Sequence, residues 1–349
     1  MKEIQGDFMF FCGRNNRPLG DSVWSYLGEY LGSRISPDFI DFGEWRDSCP
    51  NNKIPKFSAV KGKSVVLFDS IVSEKAMMEF ITLVMAFKKQ YLAHRVIAVL
   101  PFLLTRRCDH EEPEYNYEIN YLGFYLELLK FAGVDDLIVC TPHSEAMGKK
   151  CEDLGIRFHP AYMDFSRAIK TIIPKEEKIV FYSPDQGSIS RAVFHAKHFS
   201  GSLVLFNLKE RKLNNQTEIV SADKEKVSSI VTNCQQEFDY KGIDYFSEEE
   251  ILGAHVVIIE DEMSSGGTAN QTAKKLKSAG AKAIYFAFTH PVCVNGWKYT
   301  LFDQEPFARV LAGNTIIRDQ SNRTWGKVLD VSTAETIASI LYKVLTPGH

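Results

Sequence analysis

The chain has 349 residues, 45% of them hydrophobic and 24% charged, with a net charge of −3. That length suits two domains at roughly 100–200 residues each, and the balance is that of a globular chain with a real core. No basic excess argues for a nucleic-acid or membrane surface as the main partner, and no apolar run reaches the ~18 residues that a membrane span needs.

In chain order, short runs rich in Val, Ile, Leu and Phe alternate with amphipathic stretches. Strands are expected at Phe8–Cys12, Ser64–Phe68, Arg95–Leu100 and Asp136–Cys140, then at Ile179–Tyr182, Ser202–Phe206, His255–Ile259 and Ala283–Thr289. Continuous apolar runs of this kind fit strands covered on both faces. Helical spacing is expected over Glu74–Gln90, Tyr115–Ala132, Ser188–Phe199 and Ala269–Ala279, with Gly280 closing the last. The alternation predicts an α/β fold with mainly parallel sheets. Pro160 to Pro174 reads as a crossing between two α/β halves, so domains are expected at residues 1–160 and 161–349. Asn207–Asn215 (NLKERKLNN) reads as a polar surface loop. Seven cysteines are scattered with no CxxC pair, and the N-terminus has no basic-then-apolar signal pattern. Reduced thiols and a cytoplasmic chain are therefore expected.

Residues 257–268, VIIEDEMSSGGT, carry the clearest chemistry. A turn from strand to helix aims backbone N–H groups and the helix dipole at one point, and adjacent glycines let a phosphate approach closely. The turn here is Ser264, Ser265, Gly266, Gly267 and Thr268. The acids before it stand at the carboxyl end of a strand, where open α/β sheets bind ligands. Neighbouring carboxylates can accept hydrogen bonds from two adjacent sugar hydroxyls. The stretch reads as a site for a sugar bearing a phosphate.

This segment resembles the phosphoribosyl-pyrophosphate motif of the ribose-phosphate pyrophosphokinases (PRPP synthetases) and related phosphoribosyltransferases. Glu260 and Asp261 fall on the paired acids, and Ser265–Thr268 on the phosphate loop. Four further segments follow the pyrophosphokinase order. VLPFLLTRRCDHEEPE (99–114) is similar to the family's nucleotide loop, and IVCTPHSEAMG (138–148) to the segment carrying its metal-linked histidine. VFYSPDQGSISRA (180–192) is similar to its aspartate turn, and LFNLKERK (205–212) to its catalytic Lys-x-Arg loop.

The resemblance implies two phosphoribosyltransferase-like domains. It implies transfer of a diphosphate from ATP to the C1 hydroxyl of a ribose 5-phosphate unit, with Mg2+ and release of AMP. By the same resemblance Arg106, Arg107, Asp109 and His143 hold ATP, and Glu44 does so from a neighbouring subunit of a homo-oligomer. His143 and Asp185 contact magnesium or its waters. Lys209 and Arg211 stabilise the transition state. Asp185, Glu260 and Asp261 face the ribose, and Ser264–Thr268 grip its phosphate. Gly187 is expected to permit a tight turn. The chain departs from the family at Ser264 and Thr141, each a usual Asp, and at Cys108 and His110. The change at Ser264 points to ADP-ribose as an alternative acceptor to ribose 5-phosphate. A non-catalytic regulatory subunit and a plain phosphoribosyltransferase are the rival readings. Retention of Lys209 and Arg211 counts against both.

Overall fold

The computed structural model describes residues 8–109, 119–206, 211–213, 216–218, 221–318, 324 and 326–347. The side chains of 186 and 211–227 lie outside the described set. The chain divides into two compact units.

The first unit comprises Met1–Met163, Asn314–Ile317 and Ser332–His349. Its strands are β1 (Phe8–Cys12), β2 (Asp38–Phe39), β3 (Ser64–Phe68), β4 (Arg95–Leu100), β5 (Asp136–Cys140) and β6 (Arg157–Ala161). They form one parallel sheet in the order β2-β1-β3-β4-β5-β6. Its helices include α1 (Arg17–Leu31), α2 (Glu74–Met85), α3 (Tyr121–Ala132) and α4 (Ala146–Asp153). Side chains alternate across the strands, so each face has its own core. Phe11, Leu67, Ala98 and Val139 face α2, α3 and α4, while Phe10, Phe68, Val99 and Ile138 face α1. Such double burial explains why these strands are visible as apolar runs.

The second unit comprises Asp164–Gly313 and Arg318–Val331. It contains β7 (Ile179–Ser183), β8 (Leu203–Phe206), β9 (Arg211–Leu213), β10 (Gln216–Glu218), β11 (Ile243–Tyr245), β12 (His255–Met263), β13 (Ala283–Pro291), β14 (Arg309–Gly313) and β15 (Val328–Val331). Seven of these form a parallel sheet in the order β11-β8-β7-β12-β13-β14-β15, and β9 and β10 pair as a separate antiparallel hairpin. The helices are α5 (Ser166–Ile172), α6 (Ile189–Ala196), α7 (Ser221–Phe238), α8 (Glu248–Ile251), α9 (Gly267–Ser278) and α10 (Trp297–Phe302).

The last helix, α11 (Ala334–Leu345), belongs to the first unit. Its buried Ile337, Leu341 and Val344 complete the core that Leu19, Val23 and Leu27 of α1 begin. The expected split at 160 and 161 lies close to the break after Met163, but residues 332–349 do not follow the second unit. A C-terminal amphipathic helix has no local signal for which sheet it covers.

Other differences are local. The expected helix from Tyr115 begins its described part at Tyr121, and residues 115–118 lie outside the described set. Glu74–Gln90 is α-helical to Met85 and ends in a π turn, Ala86–Gln90. Part of the expected loop after Phe206 is strand β9. Among the described residues no helix is long and apolar enough to cross a membrane.

Candidate active site in two parts

In the second unit, β12 runs four residues beyond the expected Ile259, so the acids lie on the strand itself. The β12–β13 pairing continues through Glu260↔Phe288 and Glu262↔His290. Asp261 is buried, while Glu260 and Glu262 are half-buried. Carboxylates read as loop in a sequence; here the ladder with β13 holds them in extended backbone.

Next to β12, strand β7 ends in Ser183, and Asp185 follows it. Asp185 Oδ1 accepts the Ser188 N–H at 3.1 Å, and its carbonyl accepts the Ser183 hydroxyl at 2.6 Å. This fixes the turn into α6. Gly187 stands outside the left-handed region, and a Cβ there would meet Asp185 Oδ1 at an ordinary 3.4 Å. The turn is therefore held by Ser183, Asp185 and Ser188, and not by the expected freedom of Gly187.

From α6, Arg191 points back to the acids. Its Nη2 lies 3.5 Å from Glu260 Oε2 and 3.8 Å from Asp261 Oδ1. The aspartate-turn motif includes this arginine, but sequence reasoning did not single it out. Burial pushes the Glu260 carboxyl up to about 8; Arg191 pulls it down, and Asp185 and Asp261 add to the rise. Glu260 and Asp261 thus share one guanidinium, with Asp185 near enough to act on Glu260.

The phosphate loop follows at once. Gly266 has φ +81, caps α9 without a side chain, and packs so tightly that a Cβ would lie 2.9 Å from Leu301 Cβ. The helix starts at Gly267, two residues earlier than expected. Ser265 Oγ accepts the Gly267 N–H at a long 3.4 Å. Ser264 is held through its carbonyl by the Val294 N–H at 3.2 Å. Ser265 and Thr268 are exposed. The N-cap residue Gly266 offers no side chain, so apart from the long Ser265 bond the first N–H groups of the 12-residue α9 and its dipole are available to an anion.

In the first unit, the chain leaves β4 through Pro101–Asp109. Arg106 is buried, with its guanidinium 4.4 Å from the Phe102 ring centroid, whereas Arg107 is exposed. Asp109 Oδ2 accepts the Ser144 hydroxyl. That bond joins the nucleotide loop to the segment after β5, next to His143. Thr141, where the family has Asp, sits in this turn at φ +35, an unusual conformation for a β-branched residue. Glu44 is exposed and pairs with Lys75, whose hydrogen bond and charge hold its carboxyl below the usual range.

The expected catalytic pair, Lys209 and Arg211, is only partly described. Lys209 lies outside the described residues. Arg211 opens β9, with its backbone paired to Glu218, and its side chain is outside the described set.

The description "Phosphoribosyl transferase domain" matches residues 158–314. The ribose-phosphate pyrophosphokinase of Deinococcus radiodurans is 26% identical over 99% of this chain and 97% of its own length. That of Ralstonia nicotianae is 24% identical over 97% of this chain and 95% of its own. The crystal structure of the phosphoribosylpyrophosphate synthetase from Mycobacterium smegmatis superposes with a TM-score of 0.72. It covers 97% of this chain and 98% of that one, at 20% identity. The chain is thus similar to ribose-phosphate pyrophosphokinases over nearly its whole length, and its fold is that of a PRPP synthetase. As in that PRPP synthetase, two mainly parallel sheets are flanked by helices.

Magnesium would fit the acid cluster of the second unit. Magnesium is usually held through one or two carboxylates together with substrate phosphates, not by an all-protein cage. Among the described residues no group of three or more His, Cys, Asp or Glu is arranged to cage a metal ion. Asp185 instead offers a hard oxygen near the Glu260 carboxyl.

Proposed function

We propose that this protein is an ATP-dependent pyrophosphokinase that acts on the C1 hydroxyl of a ribose 5-phosphate unit. The observation that carries the reading is in the second unit. There the Glu260–Asp261 pair, held against Arg191, leads within a few residues to the start of α9, whose N-cap is Gly266. A sugar diol on the carboxylates and a 5-phosphate on the loop place C1 away from the loop.

The C1 oxygen attacks the β-phosphorus of ATP. The bond from the β-phosphorus to the oxygen bridging it to the α-phosphorus breaks. AMP leaves with that oxygen, and the hydroxyl proton goes to solvent. Magnesium would offset charge on the triphosphate; Asp185 in the second unit and His143 in the first are each a candidate contact to a magnesium or its waters. Arg106, Arg107 and Asp109 hold the nucleotide. Lys209 and Arg211 offset charge on the transferring group. Positioning and electrostatics carry such phosphoryl transfers.

Ribose 5-phosphate is the first acceptor to consider. A specific feature favours a second, a phosphate substituted as in ADP-ribose. Ser264 removes the negative charge of the family's usual Asp. Beyond Gly267 the surface opens into a cavity of about 410 Å³ that includes Gln271, Lys274 and Tyr299. The Tyr299 ring is 88% exposed, and so offers a face for a base to stack on. The use of NAD-derived ADP-ribose rests on this cavity and on Ser264 alone. A homo-oligomer in which Glu44 serves a neighbour's nucleotide remains part of the proposal.

The test is incubation with ATP and magnesium, offering ribose 5-phosphate and ADP-ribose separately, while AMP and product mass are followed. A gain of one diphosphate on either acceptor supports the reading and names the substrate. ATP left intact with both would refute it and favour a regulatory subunit.

A further inference from the structure

A second charged cavity lies in the first unit, at the amino ends of β4, β5 and β6. The nucleotide loop and His143 follow the carboxyl ends of β4 and β5, so this cavity belongs to the opposite edge of the sheet. Arg95, Asp136 and Arg157 are the first residues of their strands, and Asp136 and Arg157 pair in register.

Asp136 is fully buried. Arg95 donates to it through Nε and Nη2, at 2.6 and 2.7 Å, and Arg157 through Nε and Nη2, at 2.8 and 2.7 Å. His159 Nε2 lies 3.1 Å from Asp136 Oδ1. Burial alone would raise this carboxyl. The bonds from His159, Arg157 and Arg95 overcome that and hold it well below the usual carboxylate range. The neighbouring Asp135 is engaged by Lys88 at 2.7 Å and by the Val96 N–H at 2.8 Å.

One carboxylate is therefore consumed by two guanidiniums and an imidazole. Both arginines use the same edge, Nε and Nη2, which leaves their Nη1 groups without a partner among the described residues. Arg157 remains 59% exposed at its side chain. Lys343, in the last turn of α11, is exposed and has no acidic partner among the described residues. All four basic groups line a cavity of about 620 Å³. The cavity's remaining surface is apolar, from Phe158, Pro160 and Val344 among others. A structural ion pair needs one arginine for one aspartate. The surplus here faces a concave space, of a size that small organic ligands fill.

We infer that this cavity binds a small organic phosphate, with the phosphoryl group on the Arg157 and Arg95 edges and Lys343, and a ring against Phe158 and Val344. It is a site separate from the proposed chemistry and does not depend on it. Arginine presents a planar fork that suits phosphate, and lysine adds a point charge.

The experiment follows the His159 ring proton by NMR on the intact chain, assigned by its loss in His159→Gln. AMP and inorganic phosphate are the probes, added separately without ATP. The His159 signal is expected to move saturably with AMP, at an affinity at least about ten times that for phosphate. Lys343→Gln should weaken AMP by roughly tenfold, the scale of one charge-assisted contact, and leave the melting temperature unchanged. Arg157→Gln should weaken it further, and Lys343→Gln keeps the test decisive if Arg157→Gln does not fold. A His159 signal that stays still would overturn the inference, because binding elsewhere moves other resonances. Unchanged AMP affinity in Lys343→Gln would overturn it as well. Equal affinity for phosphate and AMP would overturn the role given to the apolar wall.

Discussion

Gly266 and Gly267 are adjacent and chemically identical, yet alanine should have opposite effects at the two positions. Gly266 has φ +81, where an L-residue costs about 1–2 kcal/mol. Its new Cβ would also lie 2.9 Å from Leu301 Cβ and 3.0 Å from Leu301 Cδ1. Leu301 is fully buried, and its carbonyl accepts the Asn270 side chain at 3.0 Å, so it cannot retreat cheaply. Overpacking of this kind costs roughly 1–3 kcal/mol. Gly266→Ala should therefore lose about 2–5 kcal/mol. At Gly267 the new Cβ would meet Thr300 Cγ2 at an ordinary 3.6 Å, with helical backbone. Gly267→Ala should gain about 0.4–1 kcal/mol through a stiffer unfolded chain. Urea unfolding followed by Trp297, buried on α10 beside the loop, measures both. Equal losses in the two variants, or a Gly266→Ala protein as stable as the parent, would refute the reasoning.

Asp69 predicts a pH effect in the first unit. Burial pushes its carboxyl up to about 6, against N–H donors from Asn15 and Ser70, with Glu79 adding to the rise. The folded chain then keeps a proton that the unfolded chain loses near pH 4. That contribution is whole below the unfolded value and is lost as pH rises through about 6, a change of about 3 kcal/mol. Asp69→Asn keeps the shape and cannot ionise. Relative to the parent, its unfolding free energy should improve by about 2.4 kcal/mol between pH 4 and 7, and a swing below about 1 kcal/mol would count against the account. For the chemistry, Lys209→Ala should lower turnover by roughly a thousandfold with the melting temperature unchanged, the scale of a lost transition-state cation. Near-normal AMP release would remove Lys209 from the catalytic set.

Doubly covered strands were legible because burial on both faces demands continuous apolar runs, as in VVLF of β3 or HVVII of β12. What was hidden had local signals that conflict with its structure. The stretch RPLGDSVWSYLGEYL contains Pro18, Gly20 and Gly28, which read as punctuation, yet it forms α1. Gly20 is there because a Cβ would lie 2.9 Å from Cys12 Sγ, where helix and sheet approach closely. Strand β6 contains Pro160, and its edge position tolerates it. At the candidate site, the motif order pointed to Glu260, Asp261 and the expected phosphate loop. It did not reveal that Arg191 faces both acids, or that Ser144 ties Asp109 to the His143 segment. Those pairings join residues far apart in sequence, and only the folded sheets bring them together.

The place of α11 has a consequence for how the chain is made. Its partner α1 leaves the ribosome early, with Leu19, Val23, Trp24 and Leu27 waiting for Ile337, Ala338 and Leu341. Everything from Asp164 to Gly313 is synthesised in between. At about 5–20 residues per second, that apolar face stays uncovered for roughly 15–60 s. The unit begun first is finished last, after the second has emerged almost whole. Nascent chains stalled before residue 334 should therefore be sticky through α1, and a holdase that covers one amphipathic helix would be their natural guardian.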